Sequence, residues 1–152
     1  MKTEPQKEHQ WLQKLVGEWT YEGEATMEPG EPPAKMTGTE SVRSLGGLWI
    51  LAEVQGEMPG GGVATTMMTL GYDPQKRRYV GTWIDSMMTR LWVYEGALDA
   101  AERVHGTTSV ASTSMSLLAV RKVRDSGGPL TLHGMLPYAV DRLDITKKGP
   151  GP

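Results

Sequence analysis

The stretch GEWTYEGEATM, residues 17–27, decides how the chain is read. Trp19, Tyr21, Gly23, Ala25 and Met27 alternate with Glu18, Thr20, Glu22, Glu24 and Thr26. Successive side chains of an extended chain point to opposite faces, so this is a strand with one buried and one acidic face. The residues before it keep a different period. Trp11, Leu12, Leu15 and Val16 form one apolar stripe on a helix predicted from Pro5 to Val16. Pro5 suits the first turn of that helix and Gly17 its end. Glu-Pro-Gly-Glu-Pro-Pro at 28–33 stops the strand.

Working outward, strand-like runs follow at short intervals: Met36–Leu45, Leu48–Met58, Val63–Tyr72, Arg78–Asp85 and Met88–Leu98. Gly46-Gly47 and Pro-Gly-Gly-Gly at 59–62 supply reversals, and Asp73-Pro74-Gln75-Lys76 carries proline at the second position of a turn. Strands at this spacing with no second helix predict an all-β protein, a sandwich or a barrel. Beyond residue 100 the pattern thins. Leu117–Arg124, Leu130–Met135 and Tyr138–Thr146 are the later strand candidates. Residues 1–148 are expected to form one domain and 149–152 a disordered tail.

Composition excludes several classes of function. With no cysteine among 152 residues there is no disulfide scaffold, thiolate zinc site, iron–sulfur cluster or cysteine nucleophile. A net charge of −2 leaves no electrostatic footprint for nucleic acid. No apolar run approaches the roughly 20 residues of a membrane span, and the start MKTEPQKEHQ lacks the apolar core of a secretion signal. A soluble cytoplasmic protein is the expectation. Residues 1–75 carry 5 basic and 11 acidic side chains, and residues 76–152 carry 11 and 7. These charges are dispersed and read as solvated surface. Phenylalanine is absent, so ten Met and five Trp take the large apolar positions.

Few residues suggest chemistry. His9, His105 and His133 are far apart and give no metal-binding spacing, so neither metal nor cofactor is expected. His9 is placed on the polar side of the helix, His105 in a turn-like stretch, and His133 in the alternating run Leu130–Met135. Asp85 shares a strand face with Trp83 and Tyr79, and Arg90 shares one with Trp92 and Tyr94. Were the two faces one interior, an Asp85–Arg90 pair could hold a polar ligand group inside an aromatic cavity. Alternatively, Asp85-Ser86 is a hairpin turn and Arg90 reaches solvent. No nucleophile elbow, P-loop or dinucleotide fingerprint is present.

Two resemblances sharpen the fold. A short helix followed by LVGEW at 15–19 looks like the start of the calycin barrels, the lipocalin and fatty-acid-binding superfamily. The resemblance implies that the Trp19 indole closes one end of the barrel under a cation from the last strand, for which Arg142 is the candidate. It also implies a branch in which one late histidine, His133, holds haem. GGLWILAEVQGEM at 46–58, GYDPQKRRYVGTWIDSMMT at 71–89 and YEGALD at 94–99 resemble a bacterial family of unknown function, number 1579, over about residues 8–100. The charge-poor run 104–120 departs from that family's pattern.

The expectation is an all-β, calycin-like antiparallel β-barrel with a short N-terminal helix. Its function would be non-enzymatic binding of a small hydrophobic or amphipathic molecule. Trp19, Tyr21, Trp49, Trp83, Trp92 and Tyr94 are the expected lining, with Asp85 and Arg90 as polar anchors. The alternatives are a filled barrel acting as a homodimeric interaction module, and an enzyme on a small lipid-like substrate with Asp85 or His133 as its acid–base group.

Overall fold

Residues Lys7–Gln13 form α1, the one helix among the residues that the computed structural model describes, 3–26, 30–57, 61–87, 89–98, 104–108 and 139–149. The helix is shorter than the expected 5–16. At its start the Gln6 N–H donates to His9 Nδ1 at 3.0 Å. At its end Lys14 and Leu15 donate to the carbonyls of Trp11 and Leu12, which tightens the last turn. A helix of seven residues is marginal alone, and burial of Trp11, Leu12 and nearby Leu15 holds it. His9, expected on the solvated side, is instead 3% exposed, with its ring edge-on to Tyr72 at 5.7 Å.

Among the described residues eight strands follow: β1 Gly17–Thr26, β2 Ala34–Leu45, β3 Trp49–Glu57, β4 Val63–Asp73, β5 Arg78–Asp85, β6 Trp92–Leu98, β7 Val104–Thr108 and β8 Ala139–Lys147. They make one antiparallel sheet in the order β7-β6-β5-β4-β3-β2-β1-β8. The first seven run as a meander, and β8 returns to the far edge of β1. Among the described residues the sheet keeps two ends, β7 and β8, and does not close. The all-β expectation with a short N-terminal helix therefore holds as an antiparallel sheet.

Boundaries differ where turns take residues from strands. β6 starts at Trp92 rather than Met88, because Asp85 and Ser86 are engaged in the preceding turn: Asp85 Oδ1 accepts the Met87 N–H at 2.7 Å. Val104–Thr108, expected to be turn-like around His105, is strand β7 paired with β6. The expected strands Leu117–Arg124 and Leu130–Met135 lie outside the described residues, and so does the 150–152 part of the tail.

One face of the sheet carries the core. Trp19 and Tyr21, Met36 and Val42, Ile50 and Ala52, Met68 and Leu70, Tyr79 and Trp83, and Trp92 all belong to one buried cluster with the residues of α1. The helix packs on β3 and β4. On the outer face, Glu18 and Glu22 are exposed as the alternation predicted, and Glu18 accepts the Ser41 hydroxyl at 2.6 Å. Trp49, named among the expected lining, is on this outer face. It is 38% exposed and lies across Gly71, where a Cβ would collide with the indole. Its neighbour Ile50 points inward, and the two-residue period leaves Trp49 no choice.

Candidate functional site

The chain Met36-Thr37-Gly38-Thr39-Glu40-Ser41-Val42 builds the centre of the site. Met36, Glu40 and Val42 are buried while Thr37, Thr39 and Ser41 are exposed. Period-two geometry therefore sends Glu40 inward with its apolar neighbours. The ladder sets Glu40 opposite Trp19 on β1 and Val54 on β3. Glu40 is 1% exposed, and neither carboxyl oxygen has a hydrogen-bond partner among the described residues. Burial alone pushes its pKa from 4.5 up to about 8, with no neighbouring charge contributing. At neutral pH it is a carboxylic acid with one O–H to donate.

Two further polar atoms on the same face lack partners. Trp83 and Trp92 stand directly opposite each other in the β5–β6 ladder. They are 2% and 9% exposed, and both indole Nε1 atoms are buried without an acceptor. Buried indole N–H groups ordinarily find one. Trp19 does: its Nε1 donates to the Leu15 carbonyl at 2.9 Å. Among the described residues the unpartnered set is therefore Glu40, Trp83 and Trp92, on a face otherwise made of apolar side chains and the aromatic rings of Trp19, Tyr21 and Tyr79.

Tyr21 lies on the same face, its hydroxyl end over Gly38 and Gly56. A Cβ at either position would strike it, so glycine there makes room for the phenol. Asp85 sits half-buried at the end of β5, opposite Thr66. Its carboxylate caps the 86–87 turn, as the turn alternative expected. Arg90 is exposed, with its guanidinium 5.2 Å from the Trp92 ring centre. Tyr94 stands opposite Gly81 in the ladder, and its side chain lies outside the described set. His133 also lies outside the described residues. Among those described, no three His, Cys, Asp or Glu side chains gather as a metal site.

Near α1 the cation that lies over the Trp19 indole is a lysine of the last strand. Lys147 of β8 places Nζ 5.0 Å from the Trp19 ring centre and donates to the Val16 carbonyl at 2.8 Å. Gly17, at φ +145°, lets the lysine pass: a Cβ there would meet the Lys147 stem. Arg142 stands opposite Glu24, further along β1.

A cleft opens beside α1 at one end of this face. It measures about 480 Å³ and lies between α1 and the β4–β5 turn over Trp11, Tyr72 and Tyr79, with Lys7, Lys14 and Arg77 around it. Arg77 is held at φ 55°, in the left-handed region that favours glycine. The outer face carries exposed apolar side chains, Met67 paired with Ile84 across β4 and β5, and Val93 on β6.

Glu40 was not among the candidates from the sequence, although a signal existed. The run Met36, Gly38, Glu40, Val42 is period-two and mostly apolar or small, and a carboxylate within such a run is a buried-acid candidate.

Residues 4–125 match the family model described as protein of unknown function (DUF1579), and the chain belongs to that family. The match extends past the 8–100 stretch that carried the resemblance. No match to a curated protein was found. Among the described residues no helix is long and apolar enough to cross a membrane.

Proposed function

We propose that this DUF1579 protein binds a small hydrophobic or amphipathic molecule against the inner face of its sheet, without catalysing a reaction on it. The observation that carries the reading is the set of three buried, unpartnered hydrogen-bonding groups, Glu40, Trp83 and Trp92, on one apolar face. Leaving such a group unpaired costs about 1–3 kcal/mol each. A ligand that supplies acceptors recovers that cost on binding, which is how a mostly apolar pocket with a few polar groups achieves orientation and selectivity. The return of β8 to β1 and the cation-covered Trp19 support a calycin-like barrel as the container. A bacterial, cytoplasmic setting belongs to the same reading.

Trp19, Tyr21, Trp83 and Trp92 are the expected lining in this reading. Tyr94 of β6, opposite Gly81, is kept with that lining, and Asp85 and Arg90 are assigned to the rim, where β5 turns into β6. Native mass spectrometry of the protein isolated gently from its own host tests it. A discrete added mass that disappears on denaturation is expected. Bare protein in both spectra counts against the reading.

A second reading, a homodimeric interaction module, draws on the exposed Met67, Ile84 and Val93 of the outer face. It predicts a dimer mass in the same native spectrum, dissociated by Ile84→Lys.

A further inference from the structure

The three unpartnered groups also constrain the chemistry of what binds, and the step below rests on the ligand-binding reading above. As the acid, Glu40 offers one O–H donor, and each indole offers one N–H donor and no acceptor. The unpartnered atoms thus present three donors and one acceptor, the Glu40 carbonyl oxygen, so a ligand would chiefly present acceptors. Among the described residues no cation stands beside Glu40: its cross-strand neighbours are Trp19 and Val54, and the buried His9 of α1 lies against Tyr72 with its Nδ1 accepting the Gln6 N–H. Lys147, opposite Trp19 on this face, and Arg90, beside Trp92, are both exposed and engaged. Lys147 bonds the Val16 carbonyl beneath Trp19, and Arg90 lies over the Trp92 ring.

A carboxylate brought to Glu40 would be buried beside another carboxyl group without a counter-charge, which is costly. A ketone, ester or ether oxygen accepts a donated hydrogen bond with no charge to bury. Glu40 and Trp83 are separated in the sheet by β3 and β4. Three strand spacings are roughly 14 Å measured along the sheet, so an elongated molecule is needed to reach both. We infer that the inner face selects an uncharged, elongated apolar molecule bearing carbonyl- or ether-type oxygens, held by Glu40 at one place and by Trp83 and Trp92 at another, and discriminates against the corresponding carboxylate.

Methyl decanoate and decanoate share a chain and differ in charge, and titrating both at pH 7 tests the inference. Tryptophan fluorescence would read affinity, and the assigned indole N–H resonances of Trp83 and Trp92 would read the contact. The ester is expected to bind at least about tenfold more tightly than decanoate, the size of one lost hydrogen bond. Glu40→Leu is expected to lose about tenfold for the ester, while Glu40→Gln, which keeps an N–H donor, retains it. Lys14→Gln in the cleft beside α1 should change neither affinity.

Decanoate binding as tightly as the ester would overturn the inference and leave the ligand-binding reading standing. So would unchanged ester affinity in a folded Glu40→Leu. Failure of both probes, with a bound mass still carried from the host, would overturn the inference alone. Failure of both, with bare protein from the host, would remove the reading as well.

Discussion

Trp19 and Glu40 face each other across the β1–β2 ladder, each 1% exposed, yet only the tryptophan has its polar atom satisfied. The indole N–H is paired because the helix end places the Leu15 carbonyl beside it. Nothing comparable serves Glu40. An apolar residue of similar size would pack at this position without the desolvation cost, so Glu40 lowers stability at the pH where the protein works. Such a residue marks a site where function and stability are in conflict.

The stability cost has a definite pH dependence. Folding raises the Glu40 pKa from 4.5 to about 8. Below pH 4.5 the folded and unfolded chains both hold the proton, and the shift costs nothing. Between 4.5 and 8 only the folded chain holds it, so stability falls as pH rises, by about 1.4 kcal/mol per unit. At pH 7 the loss is about 3 kcal/mol. Glu40→Gln removes the titration. Urea unfolding should show the variant more stable than the parent by a few kcal/mol at pH 8 and similar to it near pH 4. A parent protein equally stable at both ends would contradict this.

Lys147 is predicted to stabilise the packing of β8 on Trp19. Lys147→Met removes both the cation over the indole and the bond to the Val16 carbonyl, and should cost about 0.5–1 kcal/mol because the lysine is exposed. Trp19→Ala should cost about 3–5 kcal/mol, as expected for a fully buried indole. Trp19→Phe should fall between them, since it keeps most of the packing but orphans the Leu15 carbonyl. Urea midpoints of the three variants check this order, and Arg142→Met serves as the comparison that should leave the Trp19 contact intact.

Arg77 occupies a position whose backbone, at φ 55°, suits glycine. Arg77→Gly should raise stability by about 0.5–1 kcal/mol, read from the thermal midpoint. A loss would mean that the arginine side chain contributes more over the cleft than its backbone conformation costs.

The sequence was legible where a single period ran unbroken. The alternation from Trp19 to Ala25 placed Trp19 and Tyr21 on the buried face without reference to any partner strand. Alternation likewise put Tyr79 and Trp83 on one face, but only the pairing of β5 with β4 and β6 shows that this face is the buried one. Trp49 was misplaced because its size suggested lining, whereas the parity of Ile50 decides its face. Glu40 escaped notice because, in Met36–Leu45, an acid flanked by Thr39 and Ser41 looks like one more surface residue. Only pairing with Trp19 and Val54 reveals its depth. The cation over Trp19 was beyond local reasoning for a related reason. The β1–β8 register shifts between Glu24 and Ala25, and it is this long-range pairing that brings Lys147 to the indole. His9 is buried because Tyr72, more than sixty residues away, packs against it.

The account stands on an uncharged, unpartnered carboxyl group at Glu40, and carbon-13 NMR of the glutamate side chains measures that directly. In a titration from pH 3 to 10 at roughly constant ionic strength, one glutamate should stay protonated through neutrality and titrate near pH 8. That resonance should be missing from Glu40→Gln. If every glutamate, Glu40 included, titrates in the ordinary carboxylate range, Glu40 is solvated or paired, and the inner face does not hold the site described above.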